Sequence, residues 1–201
     1  MMDIKNNIMN ITVKTLFFFL IGLLLASCEG NDADEDYGYA YLYMPQATTS
    51  GGLNADYQVP SGGGENTYNF NYDAASQRLD IVLGVIRSGK VPAKAYSVDI
   101  ISRTDTTAYI SEQGLIENGI VLPEGLYELP ETVSVEAGES SAAFYLSIDA
   151  QALKEEAYAG KKAIVTVGLS NPKGYEILEE YASTVVIIDV EAIRPFLSGL
   201  E

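Results

Sequence analysis

Hydrophobic and polar residues alternate with a period of two along most of this chain. Tyr37, Tyr39, Tyr41 and Tyr43 alternate with Gly38, Ala40, Leu42 and Met44 until Pro45 ends the run, the signature of a strand with two unlike faces. Tyr68, Phe70 and Tyr72 alternate with Asn69 and Asn71. Leu79–Ile86 is a nearly continuous aliphatic run, the pattern of a strand covered on both faces or nearly so. Further strands are predicted over 95–102, 126–129, 132–136, 142–148, 162–170 and 182–190, separated by turn clusters such as Arg87-Ser88-Gly89, Glu136-Ala137-Gly138 and Asn171-Pro172-Lys173-Gly174. Two short helices are expected, one from an Asp105 cap to Gly114 and one from an Asp149 cap to Gly160. The Gly- and Ser-rich stretch from Thr48 to Gly64 reads as a mobile connection within the domain.

Short strands with turns at 8–12-residue spacing predict an all-β fold, a two-sheet antiparallel immunoglobulin-like sandwich with one or two short helices. Helices do not alternate with strands, which disfavours a doubly wound α/β fold. The core Trp and inter-sheet disulfide of immunoglobulin domains are absent, so the expectation concerns architecture alone. No solenoid or propeller repeat is present.

The amino terminus breaks this pattern. Lys5 and Lys14 precede the apolar run Leu16–Leu25, which ends in Leu25-Ala26-Ser27-Cys28. The run is shorter than the roughly 20 residues a spanning helix needs and reads as a secretory leader. Small residues before a cysteine at that point resemble the bacterial lipobox. The resemblance implies cleavage before Cys28 and acylation of Cys28, the sole cysteine. One chain binds a bilayer reversibly, whereas two or three anchor it durably. Three segments follow: a lipoprotein signal peptide over 1–27, a lipidated acidic tether over 28–36 and a β-sandwich domain over 37–201.

In the tether, Glu29, Asp32, Asp34, Glu35 and Asp36 repel one another and favour an extended chain. The run resembles the acidic surface-export signal of Bacteroidota lipoproteins; a plain solvated spacer is the alternative. The alternating Asp32, Asp34 and Asp36 do not make a calcium loop, because the sixth loop position is Tyr37 and the twelfth Tyr43.

Composition removes other functions. With no His, neither Ser-His-Asp nor Cys-His catalysis is available, and one Cys forms neither an internal disulfide nor a multi-Cys metal site. A net charge of −16 repels phosphate backbones, so nucleic acid is not an expected partner. Nothing singles out a glycosidase carboxylate pair. The expectation is a non-enzyme without cofactor or bound metal.

The order of Tyr41-Leu42-Tyr43-Met44-Pro45-Gln46-Ala47, Leu79–Gly89, Val121–Pro130 and Val133–Gly138 resembles the domain of unknown function at the amino terminus of many Bacteroidota surface lipoproteins. The resemblance spans roughly Tyr39 to Val190. It implies an immunoglobulin-like module of the kind found ahead of glycan-binding and chitinase-like glycoside hydrolase domains, in proteins that accompany outer-membrane polysaccharide uptake. With the chain ending at Glu201, the module is expected without such a downstream domain. The implied protein is held in the outer membrane through acyl chains on Cys28, faces the cell exterior and assists polysaccharide capture beside an uptake complex. The alternative is a structural or protein-interaction module, a spacer or fimbria-like subunit, with no glycan affinity. Among the 14 tyrosines, Tyr57 and Tyr175 are candidate sugar-stacking residues on loops. The row Tyr37, Tyr39, Tyr41 and Tyr43 offers a longer platform, or packs at core or half-buried positions as strand tyrosines commonly do. Asp105-Thr106-Thr107 matches the O-glycan attachment pattern of exported proteins of this phylum, with Thr106 as the acceptor.

Overall fold

A computed structural model of the chain describes residues 39–48, 56–63, 67–89 and 94–198, all within the unit Gly38–Glu201. The leader, Cys28 and the acidic positions Glu29, Asp32, Asp34, Glu35 and Asp36 lie outside the described residues. The described strands form two six-stranded sheets. The first contains β1 (Tyr41–Tyr43), β3 (Phe70–Asp73), β4 (Arg78–Arg87), β7 (Tyr127–Glu128), β9 (Ser141–Asp149) and β11 (Glu176–Ile177). Its order is β11-β1-β4-β9-β7, with β3 also on β4. The second contains β2 (Asp56–Val59), β5 (Tyr96–Ser102), β6 (Gly119–Val121), β8 (Thr132–Val135), β10 (Lys162–Lys173) and β12 (Ser183–Asp189). Its order is β2-β12-β10-β5-β8, with β6 on β10.

Register turns the alternation into a core. Pairing of β4 with β9 places Leu79 opposite Ile148, Ile81 opposite Leu146 and Leu83 opposite Phe144, all buried. Pairing of β10 with β12 does the same for Ala163 with Ile188 and Val165 with Val186. The predicted two-sheet sandwich is present, but it is not wholly antiparallel: β1 with β11, β2 with β12 and β6 with β10 run parallel. Each of these pairs brings together segments separated by long stretches of chain, so no hairpin imposes the antiparallel sense.

The strand buried on both faces is β10 rather than β4, whose Asp80, Val82 and Ile86 are half-buried. Ile164 of β10 and Val185 and Ile187 of β12 face away from the main core. They are covered by Ile110 of α1 (Thr104–Glu112), with Ile116 beside them. Helix α1 meets the first expected helix, but its cap position is Arg103, without a side-chain cap bond, and Asp105 falls in the first turn. The second expected helix is instead two 3-10 turns, Ala152–Lys154 and Glu156–Tyr158. Extended backbone at Glu155 separates them, and Asp149 caps a local turn by accepting from the Gln151 N–H at 2.9 Å. A helix that the strand reading of 182–190 does not include, α2 (Val190–Leu197), closes the domain. Asp189 caps it by accepting from the Ala192 N–H at 3.1 Å, and Val190, Ile193 and Leu197 are buried. Within the connection 48–64, β2 forms a genuine strand along β12.

Each sheet has a long strand with one edge shared between two short neighbours. On β4 these are β3 and β1, and between them the Gly84 N–H donates to Gln46 Oε1 at 3.3 Å. On β10 they are β6 and β5, and the break falls at Thr166. There the Thr166 N–H donates to Thr107 Oγ1 at 2.9 Å, while its carbonyl accepts from the Arg103 N–H at 2.8 Å. Removing the Thr107 hydroxyl leaves a buried N–H unpaired, a cost of about 1–3 kcal/mol. Thr107→Val is therefore expected to lower unfolding free energy by that amount in urea titration. The exposed neighbour Thr106→Ala is expected to change it by less than about 0.5 kcal/mol.

Candidate functional site

Strand β1 can bury either its tyrosines or its aliphatics, and the aliphatics go in. Leu42 and Met44 are fully buried, having no hydroxyl to satisfy in the core. Tyr39, Tyr41 and Tyr43 consequently share the outer face of the first sheet. Tyr39 is 83% exposed, and Tyr41 and Tyr43 are half-buried; Tyr37 lies outside the described residues. The Tyr39 and Tyr41 rings stack with centroids 6.0 Å apart and planes 28° from parallel. Pairing of Tyr43 with Ile86 and of Val82 with Tyr145, itself 51% exposed, continues an apolar, aromatic surface across β4 and β9. The far end of the same face is polar. Arg78 donates to Ser147 Oγ at 3.0 Å and to its carbonyl at 2.7 Å, pairs with Glu128 at 3.4 Å, and Ser147 donates to Asp80.

The two loop candidates are separate and half-buried. Tyr57 lies in β2, where its hydroxyl bonds the side chains of Asn69 and Gln46, and burial pushes its phenol above the ordinary range. It borders a cavity of about 420 Å³ with Asp56, Gln58 and Asn69. Burial also pushes the Asp56 carboxyl up. Tyr175 lies in the turn between β10 and β11, its hydroxyl accepting from the Lys94 N–H at 2.9 Å. Its ring meets Tyr96 edge-on, centroids 5.7 Å apart, and the Arg87 guanidinium lies 5.5 Å from its centre. Arg87 is only 7% exposed, and its Nη1 donates to the carbonyls of Ser88 at 2.9 Å and Gly89 at 3.2 Å. Thr106, the O-glycan candidate, is exposed in the first turn of α1. Among the described residues no group of three or more Cys, Asp and Glu is arranged to hold a metal, and no helix is long and apolar enough to cross a membrane.

Fold and surface define a β-sandwich module with one aromatic outer face. A family model described as "-like, N-terminal domain" matches residues 39–176, and the chain belongs to that family, the Bacteroidota amino-terminal module it resembles. Among solved structures, it is similar to a Bacteroides ovatus protein of unknown function, 17% identical with a TM-score of 0.50, over 75% of this chain and 46% of that one. A second Bacteroides ovatus protein of unknown function is 17% identical with a TM-score of 0.48, over 73% of this chain and 43% of that one. An auxiliary nutrient binding protein from Bacteroides thetaiotaomicron is 17% identical with a TM-score of 0.44, over 66% of this chain and 42% of that one. The chain thus spans less than half the length of each of these structures. No curated protein matches it at a significant level.

The aromatic cluster carries a pH signature. Burial pushes the Tyr96 phenol up from 10.0 to about 12, with the Arg87 charge opposing the shift and Tyr175 adding to it. Burial raises Tyr127 and Tyr158 as well. Between the unfolded value near 10 and the folded value near 12, the folded chain keeps a proton that the unfolded chain has lost. Stability is therefore full below pH 10 and falls as pH rises through that window. Thermal unfolding from pH 9 upward is expected to show the decline, and Tyr96→Phe is expected to make it shallower.

Proposed function

We propose that the protein is a lipid-anchored accessory protein of the outer cell surface that helps capture polysaccharide, using the outer face of the first sheet as its contact. The observation that carries this reading is the outward row Tyr39, Tyr41 and Tyr43, with two of its rings stacked and Tyr145 on the same face. Sugar rings present C–H faces that lie on aromatic rings, and hydrogen-bonding groups at the edge fix their orientation. The polar end of the face, with Arg78, Asp80 and Glu128, supplies such groups. Family membership supports an extracellular role, because the resemblance links these modules with surface lipoproteins in which they precede glycan-binding domains. Leu25-Ala26-Ser27-Cys28 supports the anchor.

Titration of the purified chain against a polysaccharide panel tests the contact. Binding to at least one neutral polysaccharide is expected, and the double variant Tyr39→Ala/Tyr41→Ala is expected to weaken it about fivefold or more, from roughly 0.5–1.5 kcal/mol per ring. Silence across the panel would instead favour a spacer or interaction module. Cys28→Ala is expected to release the protein from the membrane fraction, and its retention after correct leader cleavage would overturn the anchor.

A further inference from the structure

A second concavity lies at the bulge in β10. Pairing of β10 with β5 shifts register between Ser170 and Lys173, and Asn171 takes a left-handed backbone with φ of 44°. Asn171 donates from Nδ2 to Asp99 Oδ2 at 3.0 Å, which pins the bend to β5. The bent strand then continues through its turn into β11 and, with the turn that follows, walls a cleft of about 560 Å³. That volume falls within the range of small-molecule sites. Its apolar lining includes Ile101, Pro172 and Ile177, and its polar lining Arg103, Glu176 and Glu179.

Arg103 is held here in an unusual way. Its side chain lies across the backbone of Gly168, where a Cβ would stand 2.3 Å from its Nε, so the arrangement requires glycine at that position. Nε is buried without a hydrogen-bond partner, and Nη2 makes only a long 3.4 Å contact to the Leu169 carbonyl. Among the described residues no carboxylate pairs with this guanidinium within 4.0 Å. Nε lies against Gly168 out of reach of a ligand, so the capacity left at the cleft is that of the two Nη groups, of which only Nη2 has a bond, and that a long one.

We infer that this cleft is a subsite for one neutral sugar unit, a pyranose with free vicinal hydroxyls. The inference rests on the glycan reading above and names the unit the site would take. One sugar hydroxyl accepts from Arg103 while its neighbour donates to Glu176 or Glu179, a division that needs both a donor-only and an acceptor-only side chain. Ile101, Pro172 and Ile177 meet the ring's C–H surface. A carboxylated sugar fits less well, because Glu176 and Glu179 share the lining and the chain carries a net charge of −16. Glu176 is also the cross-strand partner of Tyr41, so the cleft adjoins the tyrosine row through one edge strand.

Calorimetric titration of the full purified chain with neutral and uronate-containing oligosaccharides tests the assignment, with melting temperature measured in parallel. Arg103→Met, which keeps the apolar stem, is expected to weaken neutral-sugar binding at least tenfold at unchanged melting temperature. Gly168→Ala is expected to weaken binding likewise by displacing the guanidinium while keeping its charge, with a lowered melting temperature from the added methyl in a buried strand. Wild-type affinity in both variants, alongside loss in Tyr39→Ala/Tyr41→Ala, would overturn the cleft and leave the tyrosine platform standing. Tighter binding of uronates than of neutral sugars would overturn the neutral assignment. A wild-type chain that binds no sugar at all would overturn both readings.

Discussion

Strand β10 sets the terms for the rest of the domain. It is buried from Ala163 to Leu169, so its side chains need cover on two faces and its backbone needs partners on two edges. The main core covers one face and Ile110 of α1 the other. One edge is paired throughout by β12, whereas the other changes partner from β6 to β5 and leaves Thr166 between them. Helix α1 resolves both demands together, because the segment that brings Ile110 over Ile164 also brings Thr107 and Arg103 to the Thr166 N–H and carbonyl. The same placement carries the Arg103 side chain onto Gly168. Beyond Ser170 the strand bends into the turn that leads to β11, and β11 pairs with β1, the strand that carries the tyrosines. The cleft and the aromatic row are thus both consequences of how one doubly buried strand is enclosed.

The inward choice at β1 follows from a similar balance. Leu42 and Met44 enter a core already filled by aliphatic side chains, where a phenol would need a partner for its hydroxyl. Two of the tyrosines that approach the core have one. Tyr96 donates to the Ser140 carbonyl at 3.0 Å, and Tyr127 shares a hydrogen with Ser102 across 2.6 Å. Tyr39, Tyr41 and Tyr43 instead spread ring surface over the outside of the sheet, which leaves an aromatic patch open on a strongly acidic protein.

Alternation made the long strands legible. Leu79–Ile86, Ala142–Ile148 and Lys162–Ser170 each declare themselves through their density of apolar side chains, and each lies within an observed strand. The short strands β2, β6 and β11 do not, because two to four residues carry no period and their pairing comes from distant parallel neighbours. Helix α2 was hidden by the aliphatic run it continues and by Pro195 inside it, although Asp189 stood in the sequence as a capping residue. For the candidate site, the tyrosine row was legible as a row, but which face it took depended on the competition with Leu42 and Met44. The cleft was not legible, since Arg103, Gly168 and Asn171 converge only through the register of β5 and β10.

The two arginines near this end of the structure separate structural from binding chemistry. Arg87 is deeply buried; its Nη1 is met by two carbonyl dipoles and its guanidinium by the electron-rich face of Tyr175, although its Nε, like that of Arg103, has no hydrogen-bond partner. Arg103 differs in being held by shape, through the missing Cβ of Gly168, with one long bond from Nη2 to the Leu169 carbonyl. A guanidinium held with so few hydrogen bonds costs the free chain stability, and a polar ligand that accepts from its Nη groups would recover part of that cost. A side chain needed only for packing would not have to carry a charge across a glycine to reach the edge of a cleft. The same reasoning explains why the acidic residues of the lining stand apart from Arg103 beyond ion-pair distance: separated, the donor and the acceptors remain free to divide the hydroxyls of one ring between them.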